Sequence, residues 1–176
     1  MSDSMHVFNR ALVRQRRDRA APGLGAYAFL FEEAAARLID RLDDTIRRFP
    51  TALDLGCHAG GLAEALRQGT VSRGGIERLV QCDLSPGMAR AATATGWPTI
   101  AGDEEALPFA TASFDVILSN LSLHWVNDLP GALIQARQTL RPDGLFLATL
   151  FGADTLNELR TAMGDAEIAM DGGLSP

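Results

Sequence analysis

Residues 51–61 read TALDLGCHAGG, and this stretch decides the fold. Its apolar residues lie close together, which is typical of a strand buried on both faces of a parallel sheet. Gly56 ends the apolar run. After a short gap come Gly60 and Gly61, and a helical pattern begins at Leu62. The stretch therefore predicts a strand, a glycine turn and a helix in direct succession.

The composition of this turn also predicts a ligand site. Glycine allows a backbone to pass close to a ligand because no Cβ blocks the approach. Asp54 is an acid inside an apolar strand, where an unpaired charge is energetically expensive. Its side chain is therefore expected to face a polar group at the end of the strand. The alternative interpretation is an ordinary strand-to-helix turn, since such turns are common in α/β folds.

Composition restricts the classes of protein to which the chain can belong. Its 176 residues suit one domain with a core large enough to be stable alone. A formal net charge of −6 and a pI near 5.0 argue against a general nucleic-acid binder. The chain has no lysine, which excludes a Walker-type phosphate loop and Schiff-base chemistry. The two cysteines make no disulfide framework, and no apolar run predicts a membrane span, so we expect a cytoplasmic protein.

The first twenty residues carry a basic patch on this acidic chain. Its members are Arg10, Arg14, Arg16, Arg17 and Arg19. One interpretation is a contact with an acidic partner, and another is a lid over the ligand site. A solvated, partly frayed terminus fits the same pattern. A mitochondrial-type presequence is a further alternative, which the acidic Asp3 and Asp18 disfavour.

An amphipathic helix is predicted over residues 27–49. Its apolar residues recur at three- and four-residue steps, and charged residues cover its other face. Tyr27, the single tyrosine, stands at the start of this helix, where it could reach a substrate or simply pack. We divide the chain into a helical segment over residues 1–49 and a ligand-binding domain over residues 50–176.

The remaining elements alternate between strands and helices. Strands are predicted at residues 76–83, 99–102, 113–120 and 145–151, and helices at residues 62–68, 129–140 and 155–170. Residues 69–75 are expected to form a loop, residues 140–144 a turn, and residues 171–176 an uncapped tail. This alternation predicts an α/β fold with a parallel sheet.

Asp83 ends the second predicted strand, one strand–helix–strand unit after Asp54. An acidic residue at this distance from a glycine loop can accept hydrogen bonds from both ribose hydroxyls of a bound nucleoside. A carboxylate suits this task because it accepts two hydrogen bonds at fixed separation. The alternative role is a helix N-cap, but Ser85 can provide that cap alone. We therefore favour ribose binding.

The fourth predicted strand ends at Asn120, and ligands bind outside the carboxyl ends of open parallel sheets. Leu121, His124 and Trp125 follow directly, so these residues are expected to line the ligand crevice. His124 is a general-base candidate by its position. A histidine beside a tryptophan can equally serve only in packing.

The glycine turn resembles the first motif of class I S-adenosylmethionine-dependent methyltransferases, whose usual form is LDLGCGTG. Asp54, Gly56 and Gly60 match that pattern, and His58 replaces its middle glycine. The His58 side chain is expected either to narrow the approach of the cofactor or to tilt away from it. The stretch CDLSPGMARAA resembles the second motif of the family. The resemblance implies S-adenosylmethionine as cofactor and S-adenosylhomocysteine as its product.

A third stretch, GDEEALPF, resembles the family segment that lies beside the adenine. By that resemblance, Asp103 accepts a hydrogen bond from the adenine amino group and Glu104 contributes its backbone N–H. The implied fold is a Rossmann-like, doubly wound parallel sheet in the order 3-2-1-4-5, preceded by the N-terminal helices. The residues predicted to bind the cofactor are Asp54, Gly56, Cys57, His58, Gly60, Asp83, Leu84, Met88, Asp103, Glu104, Asn120 and Leu121.

The family fold usually continues with two more strands and a helix, which this sequence does not predict. The fifth strand would then have an open outer edge, and open edges invite pairing. We therefore expect the chain to be a fragment of a longer protein, with part of the substrate wall missing.

Three further stretches carry a narrower resemblance. VFNRALVRQRRDRAA, SLHWVNDLPGAL and FGADTLNELR resemble bacterial relatives of the mitochondrial complex I assembly factor with a methyltransferase fold. That factor is associated with hydroxylation of an arginine rather than with methylation. The general layout is also similar to the biotin-pathway enzyme that methylates malonyl-carrier protein.

These observations leave three hypotheses. The first is a methyltransferase that acts on a small molecule, a carrier-bound acyl group or a protein. The second is an assembly factor that modifies or binds a respiratory-complex subunit, and the third is a cofactor-binding module without chemistry. Methyl transfer from a sulfonium needs mainly alignment, so His124 and Tyr27 are the only catalytic candidates. No metal is predicted, because Cys57, His58, Cys82 and Asp83 fall where the cofactor is expected.

Overall fold

A computed structural model of the protein describes residues 6–68 and 73–171. Its helices are α1 (Arg10–Ala20), α2 (Phe29–Asp43), α3 (Gly61–Arg67), α4 (Pro86–Ala92), α5 (Leu129–Thr139) and α6 (Asn157–Asp171). Its strands are β1 (Thr51–Leu55), β2 (Arg78–Asp83), β3 (Thr99–Ala101), β4 (Phe114–Asn120) and β5 (Leu140–Thr149). Short 3-10 turns connect several of these elements.

The five strands form one parallel sheet in the order β3-β2-β1-β4-β5, which confirms the predicted fold. The central strand is β1, in which Leu53 pairs with Val80 of β2 and with Ile117 of β4. All five residues of β1 are buried. The carboxyl ends of β1, β2 and β4 therefore meet at one edge of the sheet, where ligands of open parallel sheets bind.

Successive side chains of β1 enter two different apolar clusters, because side chains alternate between the faces of a strand. Ala52 packs in the cluster that contains the apolar face of α2. Leu53 and Leu55 pack in the other cluster, together with Ala136 of α5. The sheet is thus covered on both faces, as the nearly continuous apolar sequence of its strands requires.

The long predicted helix over residues 27–49 is wrong at both ends. Tyr27 belongs to a 3-10 turn, and α2 begins at Phe29. At the other end, α2 stops at Asp43, and the Thr45 hydroxyl donates to the carbonyl of Leu42 at 2.9 Å. The apolar period continues beyond this point in the sequence, but Phe49 lies after the end of the helix and is buried in the cluster that α2 forms with the sheet.

The predicted turn at residues 140–144 is also wrong, because β5 already begins at Leu140. Leu140 pairs with Phe114, and the register then shifts before Val116 pairs with Leu145. Asp143 has a φ of 62°, which accommodates this irregularity without ending the strand. The strand therefore absorbs the residues that local sequence assigns to a turn.

From Arg10 onward, the amino-terminal segment forms a capped helix and not a frayed end. The Asn9 side chain accepts from the backbone N–H of Leu12 at 3.1 Å, as an N-cap does. The predictions for Asp3, for residues 69–72 of the loop and for residues 172–176 of the tail fall outside the described residues. Within the described ranges, no helix has the length and apolar character needed to span a membrane.

Candidate cofactor-binding site

The glycine turn after β1 allows several chain segments to approach one another closely. Gly56 has a φ of +75°, and a Cβ there would lie 2.0 Å from the Ser122 hydroxyl oxygen. Gly60 has a φ of +89°, and a Cβ there would lie 2.6 Å from the Thr95 side chain. Both positions therefore require glycine, for the backbone conformation and for the space.

His58 adopts a φ of 49°, in the left-handed region that a glycine would occupy more easily. Its backbone N–H donates to Asp83 at 3.0 Å, and its ring Nε2 lies 3.2 Å from the backbone oxygen of Asn120. The ring also packs against Phe31, with 4.6 Å between centroids. Burial is the main reason that its pKa lies below the usual value. The side chain is thus held between Phe31 of α2 and the carboxyl end of β4.

Asp54 is completely buried at the tip of β1, and neither of its carboxylate oxygens has a hydrogen-bond partner among the described residues. Burial, followed by the nearby charge of Asp83, raises the pKa of Asp54 to about 8. An unsatisfied buried carboxyl group is expensive. Such a group at a strand tip is expected to serve a ligand rather than the stability of the fold.

Asp83 ends β2 and is also fully buried. One oxygen accepts from the backbone N–H of Ser85 at 2.8 Å, and the other accepts from the backbone N–H of His58. The Arg17 guanidinium lies 3.4 Å from both oxygens. The helix-cap role falls to Ser85, whose hydroxyl accepts from the N–H of Met88 at 3.0 Å. The carboxylate of Asp83 is therefore left for interactions other than capping.

Glu104 forms the centre of a buried ionic network. Its carboxylate accepts from Arg17 at 3.2 Å, from the Ser122 hydroxyl at 2.8 Å, and from Arg10. Arg10 also donates to Asp103 at 2.5 Å. Burial acts to raise the pKa of Glu104, but the charges of Arg17 and Arg10 outweigh it and hold that pKa below its usual value. The side chain of Glu104 thus carries a structural charge, whereas the sequence assigned a role only to its backbone.

Two adjoining cavities lie at this edge of the sheet. The first, of about 570 Å³, lies against the glycine turn and is lined by Asp54, Gly56 and Asn120. The second, of about 520 Å³, lies against α1 and has a mainly apolar lining. Phe31 and His58 line both cavities and so separate them. Each volume is sufficient for a small organic ligand.

The remaining predicted binding residues differ in exposure, and Leu84 and Leu121 belong to the lining of neither cavity. Met88 is buried and lines the second cavity, and Leu84 is half-buried next to Asp83. The Asn120 side chain donates to the carbonyl of Phe31 at 2.9 Å, which ties β4 to α2. Leu121 is buried with a φ of 49°, so the backbone bends sharply after β4.

The two cysteines are buried at the same strand ends. The backbone N–H of Cys57 donates to the carbonyl of Cys82 at 3.0 Å. Burial raises the pKa of both thiols, to about 12 for Cys82. Both side chains therefore stay protonated at neutral pH. Across residues 6–68 and 73–171, no group of three or more potential ligand side chains is arranged to hold a metal ion.

The two candidate catalytic residues lie in different environments, and neither belongs to the lining of the two cavities. His124 packs against Trp125 and Phe151, and burial lowers its pKa. Its Nδ1 is buried without a partner among the described residues. Tyr27 is 74% exposed in a 3-10 turn. The structure therefore does not bring His124 and Tyr27 together with the carboxylates.

Sequence reasoning missed the individual roles of α1 residues at this site. Arg10 and Arg17 are seven positions apart, and this spacing places both on nearly the same face of a helix. Asp18 accepts from the Ser85 hydroxyl at 2.5 Å and from the N–H of Gly87 at 2.8 Å. Helical spacing alone could have placed the two arginines on one face of the helix, but it could not have identified their carboxylate partners.

Comparison with known proteins relates this chain to methyltransferases and to an arginine-hydroxylase. A family model described as "Methyltransferase domain" matches residues 53–148. The chain is 42% identical to the mitochondrial arginine-hydroxylase NDUFAF5 of Danio rerio, over 98% of this chain and 53% of that protein. It is 37% identical to the malonyl-[acyl-carrier protein] O-methyltransferase of Xylella fastidiosa (strain M23), over 92% of this chain and 55% of that protein. The chain thus spans about half the length of these relatives.

Solved structures share the fold at lower sequence identity. A putative methyltransferase from Haloferax volcanii, solved in complex with the Trm112 methyltransferase activator, aligns with a TM-score of 0.67 and 22% identity. That alignment covers 85% of this chain and 75% of the other. CalS10, a SAM-bound amino pentose methyltransferase from Micromonospora echinaspora, aligns with a TM-score of 0.58 and 19% identity. It covers 69% of this chain and 51% of the other.

Proposed function

This chain belongs to the class I S-adenosylmethionine-dependent methyltransferase family, and from that membership we propose that it binds S-adenosylmethionine and methylates an acceptor. The observation that carries the proposal is Asp54, a fully buried carboxyl group that lines the first cavity and has no hydrogen-bond partner in the described part of the chain. The bound cofactor would supply an electrophilic methyl group on its sulfonium.

The residues of the site fit such a cofactor. Asp54 lines the first cavity with a carboxyl group that has no partner among the described residues, and in its deprotonated form it would pair with the ammonium group of the cofactor. Gly56 and Gly60 allow the close packing of the turn that follows Asp54. Asp83 is the proposed partner of the ribose hydroxyls, and Asp103 is the proposed partner of the adenine amino group. These roles are assigned on the family motifs. Asp54, Gly56, Gly60 and Asp83 are buried, and Asp103 is half-buried.

The second cavity is the proposed place for the acceptor. It adjoins the first cavity and has an apolar lining that includes Phe8, Leu12, Phe31 and Trp125. The ionisable side chains in its lining are Arg16, Arg17 and His58. The main requirement of methyl transfer is alignment of donor and acceptor. Acceptors of the proposed class are a small molecule, a carrier-bound acyl group or a protein side chain.

Calorimetric titration tests the cofactor assignment. We expect both S-adenosylmethionine and S-adenosylhomocysteine to bind, and Asp83→Ala to weaken both at least about tenfold, since a charged hydrogen bond contributes about 1.5–3 kcal/mol. The matched control is Asp40→Ala on the exposed face of α2, which should bind as the wild type does. Absence of binding at millimolar ligand, or unchanged affinity in Asp83→Ala, would overturn the assignment.

A second candidate function is modification of a protein arginine during respiratory complex I assembly. Two observations favour it: the 42% identity to a relative named an arginine-hydroxylase, and a carboxylate pair, Asp83 and Glu104, that already holds a guanidinium. Mass spectrometry of complex I subunits from a deletion strain separates the candidates. Loss of an oxygen mass on an arginine supports hydroxylation, loss of a methylene mass supports methylation, and unchanged subunits with unchanged complex I activity argue against this candidate.

A cofactor-binding module without chemistry is the third candidate. His58 favours it, because it stands where the family motif has glycine and its side chain lines both cavities. Incubation of lysate with the protein and methyl-labelled cofactor tests it. Binding without any labelled product supports the module, and a labelled product excludes it. The cytoplasmic location, the biotin-pathway relationship and the division at residue 50 stay predictions.

A further inference from the structure

We propose that Arg17 is an internal competitor for the ribose-binding carboxylate, so that cofactor binding requires release of Arg17 and a shift of α1. This inference rests on the proposed binding of the cofactor ribose by Asp83. It assigns to the amino-terminal helix a role in setting cofactor affinity and in connecting the two cavities.

Arg17 is a buried arginine whose guanidinium is surrounded by hydrogen-bond acceptors. The residue is 8% exposed. One guanidinium nitrogen donates to both oxygens of Asp83 and to Glu104, and the other donates to the Ser122 hydroxyl at 3.1 Å. A planar guanidinium with five donors suits such a set of acceptors.

The acceptor capacity of Asp83 is the reason for competition. A carboxylate has about four lone-pair sites. Two of them are used by the backbone N–H groups of Ser85 and His58, and the two contacts of Arg17 account for the others. Two ribose hydroxyls cannot be added to a full set. Since the backbone donors belong to the turns themselves, the side chain of Arg17 is the donor that must leave.

Release of Arg17 would also change the position of other α1 residues. Arg10, on the same helix, donates to the carbonyl of Trp125 at 3.1 Å, and Phe8 packs against the Trp125 ring with 5.4 Å between centroids. Arg17 itself and Leu12 also line the second cavity. A shift of α1 therefore changes the wall of the second cavity, and we expect cofactor to bind before acceptor.

Calorimetry with S-adenosylhomocysteine on the full chain provides the first test. Arg17→Met removes the competing charge and keeps most of the side-chain volume, so its dissociation constant should be about tenfold lower than that of the wild type, or about 1.4 kcal/mol. The matched control is Arg19→Met, which is exposed on the same helix and should bind as the wild type does. Equal or weaker binding by Arg17→Met would overturn the proposal.

Tryptophan fluorescence provides a second test that keeps Arg17 in place. Only Trp97 and Trp125 emit, and Trp97 packs in the core cluster under α2, so a Trp97→Phe background isolates Trp125. Titration with S-adenosylhomocysteine should change the Trp125 emission with the same midpoint as the calorimetric curve. Heat of binding without any change in emission would mean that α1 stays in place, and this result would also overturn the proposal.

The two tests separate failure of this inference from failure of the proposed function. If the wild type and Arg17→Met both bind with the same affinity, the cofactor site stands and the competition is wrong. If neither protein binds, the cofactor assignment fails, and Arg17 then has no ligand with which to compete.

Discussion

Asp54 and Glu104 are two fully buried carboxyl groups in neighbouring regions of the site, yet their surroundings have opposite electrostatic effects. Asp54 has no partner among the described residues, and burial raises its pKa to about 8. Glu104 accepts from Arg17, Arg10 and Ser122, and its pKa lies below the usual value. Both side chains are 0% exposed, so the difference between their pKa values must come from the charges and hydrogen-bond donors around them.

The comparison teaches that α1 determines the charge of this site. Two of its five arginines, Arg10 and Arg17, pair with Glu104, whereas Asp54 has no partner among the described residues. One region is therefore satisfied within the chain, and the other is left with unused acceptors. This asymmetry is what a site for a partly cationic ligand would need, because the unused carboxyl group stays available to that ligand.

The largest expected effect tests the unpartnered region. Below about pH 8 native Asp54 keeps a proton that the unfolded chain releases above about pH 4, so the contribution of Asp54 to wild-type stability should fall with rising pH by at most about 1.4 kcal/mol per pH unit. Asp54→Asn cannot ionise, and its stability relative to the wild type should rise across this window by on the order of 5 kcal/mol. Urea unfolding of both proteins at several pH values measures this difference in stability. Asp40→Asn, an exposed control, should follow the wild-type curve, and a parallel curve for Asp54→Asn would refute the expected protonation.

A smaller effect is expected when the partnered region loses its cation. Arg17→Met leaves Asp83 and Glu104 buried with fewer donors, and breaking a buried ion pair in this way costs about 3 kcal/mol. Chemical denaturation at neutral pH measures the loss, and Arg19→Met should stay within about 0.5 kcal/mol of the wild type. If the two variants were equally stable, the ion pairs of Arg17 would make no net contribution to the stability of the fold.

Glu104→Gln sharpens the comparison through its pH dependence. Glutamine keeps hydrogen-bonding capacity but removes the charge, so we expect a loss of about 1.5 kcal/mol at neutral pH. Because the folded pKa of Glu104 is depressed, its stabilising contribution is present above about pH 4.5 and is lost as the pH falls through the folded pKa. The difference between variant and wild type should therefore shrink in acid, opposite in direction to that of Asp54→Asn. Constancy of the difference down to low pH would contradict the assigned charge.

The smallest effect concerns the contact that docks α1. Asp18→Ala removes two hydrogen bonds to the start of α4, from the Ser85 hydroxyl and the N–H of Gly87, and should reduce stability by about 1 kcal/mol. Thermal or urea unfolding measures it beside Asp165→Ala, an exposed control on α6. An unchanged midpoint in Asp18→Ala would mean that the arginines alone hold α1 in place.

Much of the fold was predictable because its determinants are local. The apolar run and the glycines of residues 51–61 predict β1 and its turn, and the sheet order agrees with the family resemblance. The boundaries that failed depend on distant contacts. Phe49 continues the helical period of α2 but is buried after the helix has ended, and Leu140 looks like a helix stop but pairs with Phe114. Local periodicity cannot choose between such alternatives.

By itself, the amino-acid sequence determined the parallel sheet, the glycine turn and the acidic residues at its strand ends, since hydrophobic spacing and glycine positions act over a few residues. Only the tertiary structure decided which of those acids carries a charge. Arg17 is 66 positions from Asp83 and still donates to it, and no spacing rule connects the two. The pKa of a buried group depends on the charges packed around it, and that packing exists only in the folded chain.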